Sequence, residues 1–388
     1  MLMMDNTEII HKTNVERIKW VDDLKGIILI MICLGHLSGM VSTPPMVKYV
    51  AGVFTIMGVP AFFFLSGMLY KAGNTEMYAF FVRKTKSLLV PYILLSLLFT
   101  ILDPYTFCPQ YLIEILNYPR LQWLGSFGLG NYLQSSIEFF AGDIVCTMIG
   151  ISSRATLPLW FVFVLYFVTI AHHFLAIRIK FQSRLAIIAV GSYFVAIMLS
   201  YFALGGYMKI GAILMAFFFY WGGTICSGLL KYIFGLSLIA RSGIIIVLLF
   251  AFFYLAPLIV DEVSFVNGVF PVADCIVFLV FSISGILSLV LLFKGLSRME
   301  IWGFDLLKGV FRNIARNSLI VLATHYWALV VFHLFLSLYF PYDFQMYGAI
   351  VFVVLACIAS IVIFRTRLYM FIGGEHAYQD LYTCLSIK

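Results

Sequence analysis

The sequence predicts an all-α, polytopic membrane protein, and its composition, its apolar run lengths and its distribution of positive charge each support that fold class. Only 11% of the 388 residues are charged and 63% are hydrophobic, whereas soluble domains average about 25% charged residues. Apolar stretches of about 20 residues, the length that an α-helix needs to cross the hydrocarbon core, recur along the whole chain. Basic residues gather in alternate connections, as in chains that cross a bilayer repeatedly.

Ten segments reach the length that a transmembrane helix requires. In chain order they are 24–42, 50–70, 87–102, 157–177, 185–204, 210–230, 242–260, 269–293, 317–340 and 346–364. The third of them is the shortest. We therefore predict about ten transmembrane helices in a single membrane domain that covers residues 1–388.

Lysine and arginine residues predict the orientation of these helices. If the N-terminus is cytoplasmic, 20 of the 25 basic residues fall in cytoplasmic segments and four in outer segments, while Lys25 lies inside the first span. This split predicts that both termini are cytoplasmic and that the protein resides in the cell (inner or plasma) membrane. The formal net charge of +7 therefore reflects topology, and we expect no nucleic-acid partner.

Two connections are longer than the loops of most proteins. Residues 103–156 form a predicted outer loop with apolar, aromatic stretches such as YLIEILNY, which are typical of interfacial or re-entrant helices packed against protein or a wet cavity. Residues 294–316 form a cytoplasmic connection with five basic residues, and residues 365–388 form a predicted cytoplasmic tail.

The seven cysteines show neither a CxxC motif nor the spacing of metal ligands, so we expect no metal site. Cys108 and Cys146 share the predicted outer loop, where a disulfide is one alternative and two free thiols are the other. The cysteines inside the predicted spans are expected to pack as small apolar residues.

The first span carries polar residues that hydrocarbon disfavours. Its sequence, WVDDLKGIILIMICLGHLSGM, contains Asp22, Lys25 and His36. His36 lies eleven positions after Lys25, which is about three helical turns, so both side chains share one face ~16 Å apart. This helix would present a cation near one membrane surface and an imidazole deeper in, toward the other surface, an arrangement that suits a ligand lying lengthwise.

Each of these residues also has a purely structural interpretation. Lys25 can snorkel to the headgroups, and His36 can form a hydrogen bond between helices. Asp22 lies about 21 Å along the axis from His36, too far to orient its ring, and we expect it to pair with Lys25 or a nearby cytoplasmic arginine. The carboxylates that we considered as orienting partners of His36 are Glu138, Asp143 and Asp274.

Five motifs occur in a fixed order along the chain. The first has Asp22 three residues before Lys25, and His36 after ten intervening residues. The others are PAFFFLSG at 60–67, RK at 83–84 followed by LVPY at 89–92, LWF at 159–161, and NSL at 317–319 followed by His325. Together they resemble acyltransferase family 3, integral membrane acyltransferases that decorate cell-surface glycans. Lysine stands where many members have arginine, and it can bind phosphate without bidentate geometry.

The resemblance implies that acyl-CoA supplies the acyl group from the cytoplasm and that the acceptor lies outside. Lys25 would contact a phosphate or the pantetheine arm of acetyl-CoA, and His36 would act as a general base. A covalent acyl-His36 intermediate is the competing mechanism. Asp22 would support this catalytic group from the inner mouth.

Residues of the second and third motifs are candidates for binding the donor. Ser66 could contact acetyl-CoA, although small residues in membrane helices also serve close packing. Arg83 and Lys84 could bind its phosphates, although cations at the inner end of a span also serve as anchors.

Residues of the later motifs are candidates for binding the acceptor substrate. Trp160 could contact a sugar, although tryptophan near a membrane surface also belongs to the interfacial belt. His325 could serve the same site. His172 and His173, near the inner end of the fourth span, are interpreted as interfacial.

The leading hypothesis is an O-acyltransferase that moves an acetyl group from cytoplasmic acetyl-CoA to a sugar hydroxyl of a cell-surface polysaccharide or lipid-linked glycan. The expected partners are the bilayer, acyl-CoA and that glycan, whose identity stays open, as does the oligomeric state. A lipid-linked glycan flippase or other transporter is one alternative, although the two halves of the chain show no convincing inverted repeat. A polysaccharide polymerase is another, although the outer loop offers only Arg120 and Arg154 as cations.

Overall fold

The structure is a computed structural model that describes residues 18–71, 76–104, 157–179, 181–259, 263–264, 268–297 and 304–368. Within these ranges the chain is helical, and its β-pairing is limited to an isolated bridge between Ser264 and Val269. The predicted all-α fold is therefore confirmed. Most of the predicted outer loop and of the predicted cytoplasmic tail lies outside the described residues.

The described helices follow one another along the chain in this order: α1 Lys19–Met40, α2 Pro45–Met68, α3 Met77–Lys84, α4 Val90–Ile101, α5 Trp160–Arg178, α6 Gln182–Tyr201, α7 Ile210–Gly235, α8 Leu238–Ile259, α9 Cys275–Leu296, α10 Phe304–Arg316, α11 Ser318–Val331 and α12 Gln345–Thr366. A π-helical turn, Thr85–Leu89, joins α3 to α4, and a second one, Phe332–Leu336, continues α11.

The number of membrane spans agrees with the sequence prediction. Nine helical segments in the described ranges are long and apolar enough to cross a membrane. Helix α7 bends by 49° after Cys226 and supplies a tenth span if its two parts are taken together. Each of the ten predicted segments thus coincides with a helix, and the chain is a multi-pass membrane protein.

The extent of the third span differs from the prediction. Residues 87–102 were expected to form the shortest span, but the helical segment is continuous over Met77–Ile101, which is 25 residues. Arg83, Lys84 and Lys86 interrupt the apolar run without ending the helix. The π-helical turn directly precedes Pro91, whose ring clashes with the carbonyl four residues earlier in a regular α-helix. The wider turn lets the helix continue through this proline.

Helix α2 runs through the centre of the described structure, between α1, α7 and α9. It meets α7 at two glycines, because a Cβ atom at Gly67 would collide with the backbone carbonyl of Tyr220 and one at Gly223 with that of Phe64. Small residues let membrane helices approach closely. The glycine of the PAFFFLSG segment therefore sets the distance between α2 and α7.

Helix α10 docks on the N-terminal half of α1. The helices touch at Gly26, where a Cβ atom would collide with the backbone of Phe311. One turn earlier, Arg312 Nε donates a hydrogen bond to Asp23 Oδ1 at 2.6 Å. The Asp23 side chain is 4% exposed and that of Arg312 is 26% exposed, so this ion pair lies largely inside the protein.

The opposite side of α10 is apolar and turned away from the rest of the protein. Leu306 is 76% exposed, and Leu307 and Val310 are also exposed. A helix with one charged and one apolar face is typical of an element that lies in the membrane interface with its apolar face in the lipid. The connection predicted at 294–316 thus contains an amphipathic helix that is fastened to α1 through its charged face.

Replacement of Gly67 by alanine should destabilise the protein, because the added methyl group meets the backbone of α7, which cannot rotate away. Overpacking of this kind costs about 1–3 kcal/mol, so we expect a lower melting temperature for the detergent-solubilised protein. Gly191→Ala is the matched control, because nothing lies within 4 Å of its Cβ position. Equal melting temperatures of the two variants would contradict the packing role of Gly67.

Replacement of Arg312 by leucine should also lower the melting temperature, because it leaves the buried Asp23 carboxylate without its closest cation. We expect a loss of about 1–3 kcal/mol, below the 3–5 kcal/mol of a fully buried pair, because Arg312 is partly exposed. The double variant Asp23→Leu/Arg312→Leu should recover much of the loss, since no uncompensated charge remains. A double variant that is less stable than Arg312→Leu would show that α10 is held by other contacts.

Candidate active site

A cavity of about 200 Å³ lies between α1, α2, the start of α5 and α11. Its walls are mainly apolar, and the polar side chains that reach it are His36 of α1, Thr55 of α2, Trp160 of α5 and Ser264. The Thr55 hydroxyl donates to the carbonyl of Ala51 at 2.7 Å, which leaves its lone pairs available. Two residues that were predicted from separate motifs, His36 and Trp160, therefore border one small chamber.

The imidazole of His36 is half-buried and has aromatic neighbours from α11. Its ring centroid lies 5.5 Å from that of His325 and 5.2 Å from that of Tyr326, whose ring stands nearly perpendicular to it. The predicted acceptor-site residue His325 thus lies beside the predicted general base, behind the wall of the chamber.

The ring of His325 is fixed by its own helix. His325 is fully buried, and its Nδ1 lies 2.7 Å from the carbonyl oxygen of Val321. A carbonyl only accepts hydrogen bonds, so Nδ1 carries the proton, and in the neutral ring Nε2 then holds a lone pair. Nε2 is buried and has no hydrogen-bond partner among the described residues.

Trp160 is a wall of the chamber rather than a residue of the lipid-facing belt. It is 4% exposed, and the ammonium group of Lys209 lies 6.0 Å from the centroid of its ring. Lys209 is itself buried and adopts a positive φ of 58°, next to Met208 with a φ of 45°. From the sequence, Lys209 was predicted only to be a basic residue of an outer segment, because nothing in the segment LGGYMK signals burial.

Lys25 and His36 occupy one unbroken helix, as predicted, so their separation of about 16 Å along the axis holds. Both residues are half-buried. Asp22, which was expected to pair with Lys25 or an arginine, forms no ion pair within the described ranges, and the pair with Arg312 falls on Asp23 instead. Adjacent helical residues point about 100° apart, and Asp23 is the one on the face that α10 covers.

The candidates for donor binding lie away from the chamber. Ser66 donates its hydroxyl hydrogen to the carbonyl of Phe62 at 2.7 Å, which accords with the packing interpretation. Arg83 is exposed and Lys84 is half-buried. Their charged groups lie 5.4 and 5.6 Å from the centroid of Phe80, so the two cations share one aromatic ring in the last turn of α3.

His172 and His173, which were interpreted from sequence as interfacial, are enclosed by other parts of the protein. His172 is 2% exposed and His173 is 1% exposed, because the C-terminal half of α5 is covered by α3 and α7. His173 stacks on Phe80 with ring centroids 3.8 Å apart, and its Nδ1 forms a 2.9 Å hydrogen bond with Tyr70 Oη. Neither ring nitrogen of His172 has a hydrogen-bond partner in the described part of the chain.

The carboxylates considered for orienting His36 do not supply a partner in the described structure. Glu138 and Asp143 lie outside the described residues, as do Cys108 and Cys146, and Asp274 is exposed just before α9. Within the described ranges, no three histidine, cysteine or acidic side chains are grouped so as to hold a metal ion. The described neighbours of His36 are instead neutral rings.

Comparison with known proteins gives one family and no individual relative. Neither the curated proteins nor the solved structures contain a match. A model of the acyltransferase domain of acyltransferase family 3 matches residues 18–364. That range begins just before α1 and ends in α12, so it includes the chamber, both cations of α3 and the ion pair that fastens α10. The chain therefore belongs to acyltransferase family 3 and is a multi-pass membrane acyltransferase.

Proposed function

We propose that this protein transfers an acetyl group from cytoplasmic acetyl-CoA to a sugar hydroxyl of a cell-surface polysaccharide or lipid-linked glycan on the outer side of the membrane. The observation that supports this most directly is the position of His36, which borders a small, largely apolar chamber at the end of α1 opposite to Lys25. A histidine whose ring reaches a chamber is available to a substrate, whereas a histidine that only joins two helices would be enclosed.

His36 acts as the general base in this proposal. Its unprotonated ring nitrogen removes the proton of the sugar hydroxyl while the hydroxyl oxygen attacks the thioester carbon. When the carbon–sulfur bond breaks, the same nitrogen returns the proton to the departing thiolate. The products are the O-acetyl ester and free CoA thiol, so no metal ion or redox partner is required. In the alternative mechanism, His36 itself accepts the acetyl group before the sugar does.

Lys25 holds the charged end of the donor in this proposal. A phosphate cannot enter the hydrocarbon without a large desolvation cost, so it should stay near the inner surface, where a lysine can pair with it. The ~16 Å between Lys25 and His36 along one face would then be spanned by the uncharged pantetheine arm. Arg83 and Lys84 would add positive charge at the same surface.

Replacement of His36 by alanine should abolish acetyl transfer, because general-base catalysis contributes about 10²–10⁴-fold to a rate. The measurement is the incorporation of labelled acetyl from acetyl-CoA into glycan by membranes that contain equal amounts of each variant. His333→Ala is the matched control, because His333 lies on the same side of the membrane region in the π-helical turn after α11 and is exposed.

Full incorporation by His36→Ala would remove His36 from the mechanism. Transport of a lipid-linked glycan without any acetyl incorporation by the wild-type protein would overturn the transferase proposal in favour of a flippase. A label that stays on the wild-type protein in the absence of acceptor and is missing from His36→Ala would establish the covalent mechanism.

Replacement of Lys25 by methionine should raise the KM for acetyl-CoA by about 10- to 100-fold, the equivalent of a charge-assisted hydrogen bond of about 1.5–3 kcal/mol. The KM for S-acetylpantetheine, which has no phosphates, should be unchanged if Lys25 contacts phosphate. Lys48→Met is the matched control, because Lys48 is an exposed lysine at the opposite end of the span region. An unchanged KM for both donors in Lys25→Met would show that Lys25 only anchors α1 to the headgroups.

A further inference from the structure

We propose that His325 is a positioning residue that holds His36 in the tautomer and orientation required of a general base. The inference rests on the proposed role of His36. It supplies an orienting partner for His36, a role for which only carboxylates were candidates from the sequence. It assigns to the late motif, NSL followed by His325, a task different from the acceptor binding predicted from sequence.

The ring of His325 has one free lone pair, on Nε2, in a fixed position. The hydrogen bond from Nδ1 to Val321 settles the tautomer and restricts rotation of the ring. Nε2 is therefore a pure acceptor, and it is buried without a partner among the described residues. A buried acceptor without a donor is energetically costly, so such an atom in a packed helix bundle calls for an explanation.

The ring of His36 can supply an N–H donor for His325 Nε2. The two ring centroids lie 5.5 Å apart with the planes tilted by 41°, and the ring of Tyr326 stands at 82° to that of His36, which limits how His36 can turn. The structure forms no hydrogen bond between the two histidines. In the proposed arrangement, a rotation of the His36 ring brings one of its N–H groups to His325 Nε2.

A neutral partner for His36 avoids the cost of burying a charge. In serine hydrolases a buried carboxylate fixes the tautomer of the catalytic histidine. A carboxylate at the depth of His36 would be a buried charge, which membrane interiors strongly disfavour. A neutral imidazole accepts the same hydrogen bond without that desolvation cost. With one nitrogen of His36 donating to His325, its other nitrogen keeps the lone pair that faces the chamber.

The test compares His325→Leu with His325→Gln. Leucine fills the site without an acceptor, whereas the side-chain oxygen of glutamine can accept near the position of Nε2. We expect kcat to fall about 100-fold in His325→Leu, as for other losses of alignment at a reacting group, with an unchanged KM for acetyl-CoA. His325→Gln should recover at least tenfold of the lost kcat.

The matched control is Thr324→Val, which removes a neighbouring buried hydroxyl that also has no partner among the described residues. It should keep the wild-type kcat. Melting temperatures of all variants show whether each protein is folded. A wild-type kcat in His325→Leu would overturn the proposal, and so would equal losses in folded His325→Leu and His325→Gln.

A double variant separates positioning from an independent structural role. Because His325 acts through His36, the change His325→Leu should have no further effect in a protein that already carries His36→Ala. A further loss in the double variant would show that His325 contributes by another route. If His36→Ala keeps full activity, the proposed function of His36 fails, whereas a lost activity in His36→Ala with a wild-type His325→Leu contradicts only the role of His325.

Discussion

The low dielectric of the membrane interior is the constraint on which the rest of this structure depends. Because water is absent there, a polar group needs a hydrogen-bond partner within the protein. Many side-chain hydroxyl groups of this protein satisfy the requirement inside their own helix, as Thr55 does with Ala51 and Ser66 with Phe62. His325 follows the same rule through Val321, but its second nitrogen lies outside the reach of its own helix. The polar atoms that find no hydrogen-bond partner in their own helix are therefore the candidates for a chemical role.

The same constraint explains why the spans were predictable and why one boundary was not. Uninterrupted apolar runs identify segments that can bury their backbone in lipid only as helices, and all ten predicted segments coincide with helices. The third span was wrong in extent because hydropathy registers the cations before Leu88 but not the backbone. Pro91 was visible in the sequence, yet the π-helical turn that accommodates it depends on how Lys84 to Leu89 pack.

The site was predictable where a single helix carries the information. The spacing of Lys25 and His36 fixes their common face, and α1 is unbroken between them. Contacts between distant segments were not predictable. The choice between Asp22 and Asp23 as the ion-pairing residue is made by α10, which lies 289 residues further along the chain. The burial of His172 and His173 follows likewise from α3 and α7, which no local pattern around the two residues reveals.

The surroundings of His36 differ from those of a catalytic histidine in a soluble hydrolase. Carboxylates orient catalytic histidines in soluble serine hydrolases, and Glu138, Asp143 and Asp274 were therefore considered from sequence. The residue beside His36 is a second histidine, whose tautomer only becomes visible once the carbonyl of Val321 is placed against it. In a membrane, a neutral acceptor is the less costly solution, so histidine pairs between helices are natural candidates in such sites.

The size of the chamber limits what the proposed reaction can do inside it. A volume of about 200 Å³ is below the roughly 300–1,000 Å³ of pockets that enclose a whole drug-sized ligand. A whole coenzyme or a whole polysaccharide does not fit there, so in the proposed reaction the thioester and the reacting sugar meet in the chamber while the rest of each substrate binds elsewhere. Binding energy from those remote parts would then hold the reacting atoms together. The depth of the donor would be set by its phosphates at Lys25 and that of the acceptor by its passage past Trp160. The ten residues between Lys25 and His36 would thus act as a ruler whose length has to match the donor arm, which would make a rigid, unbroken α1 a requirement of the proposed chemistry.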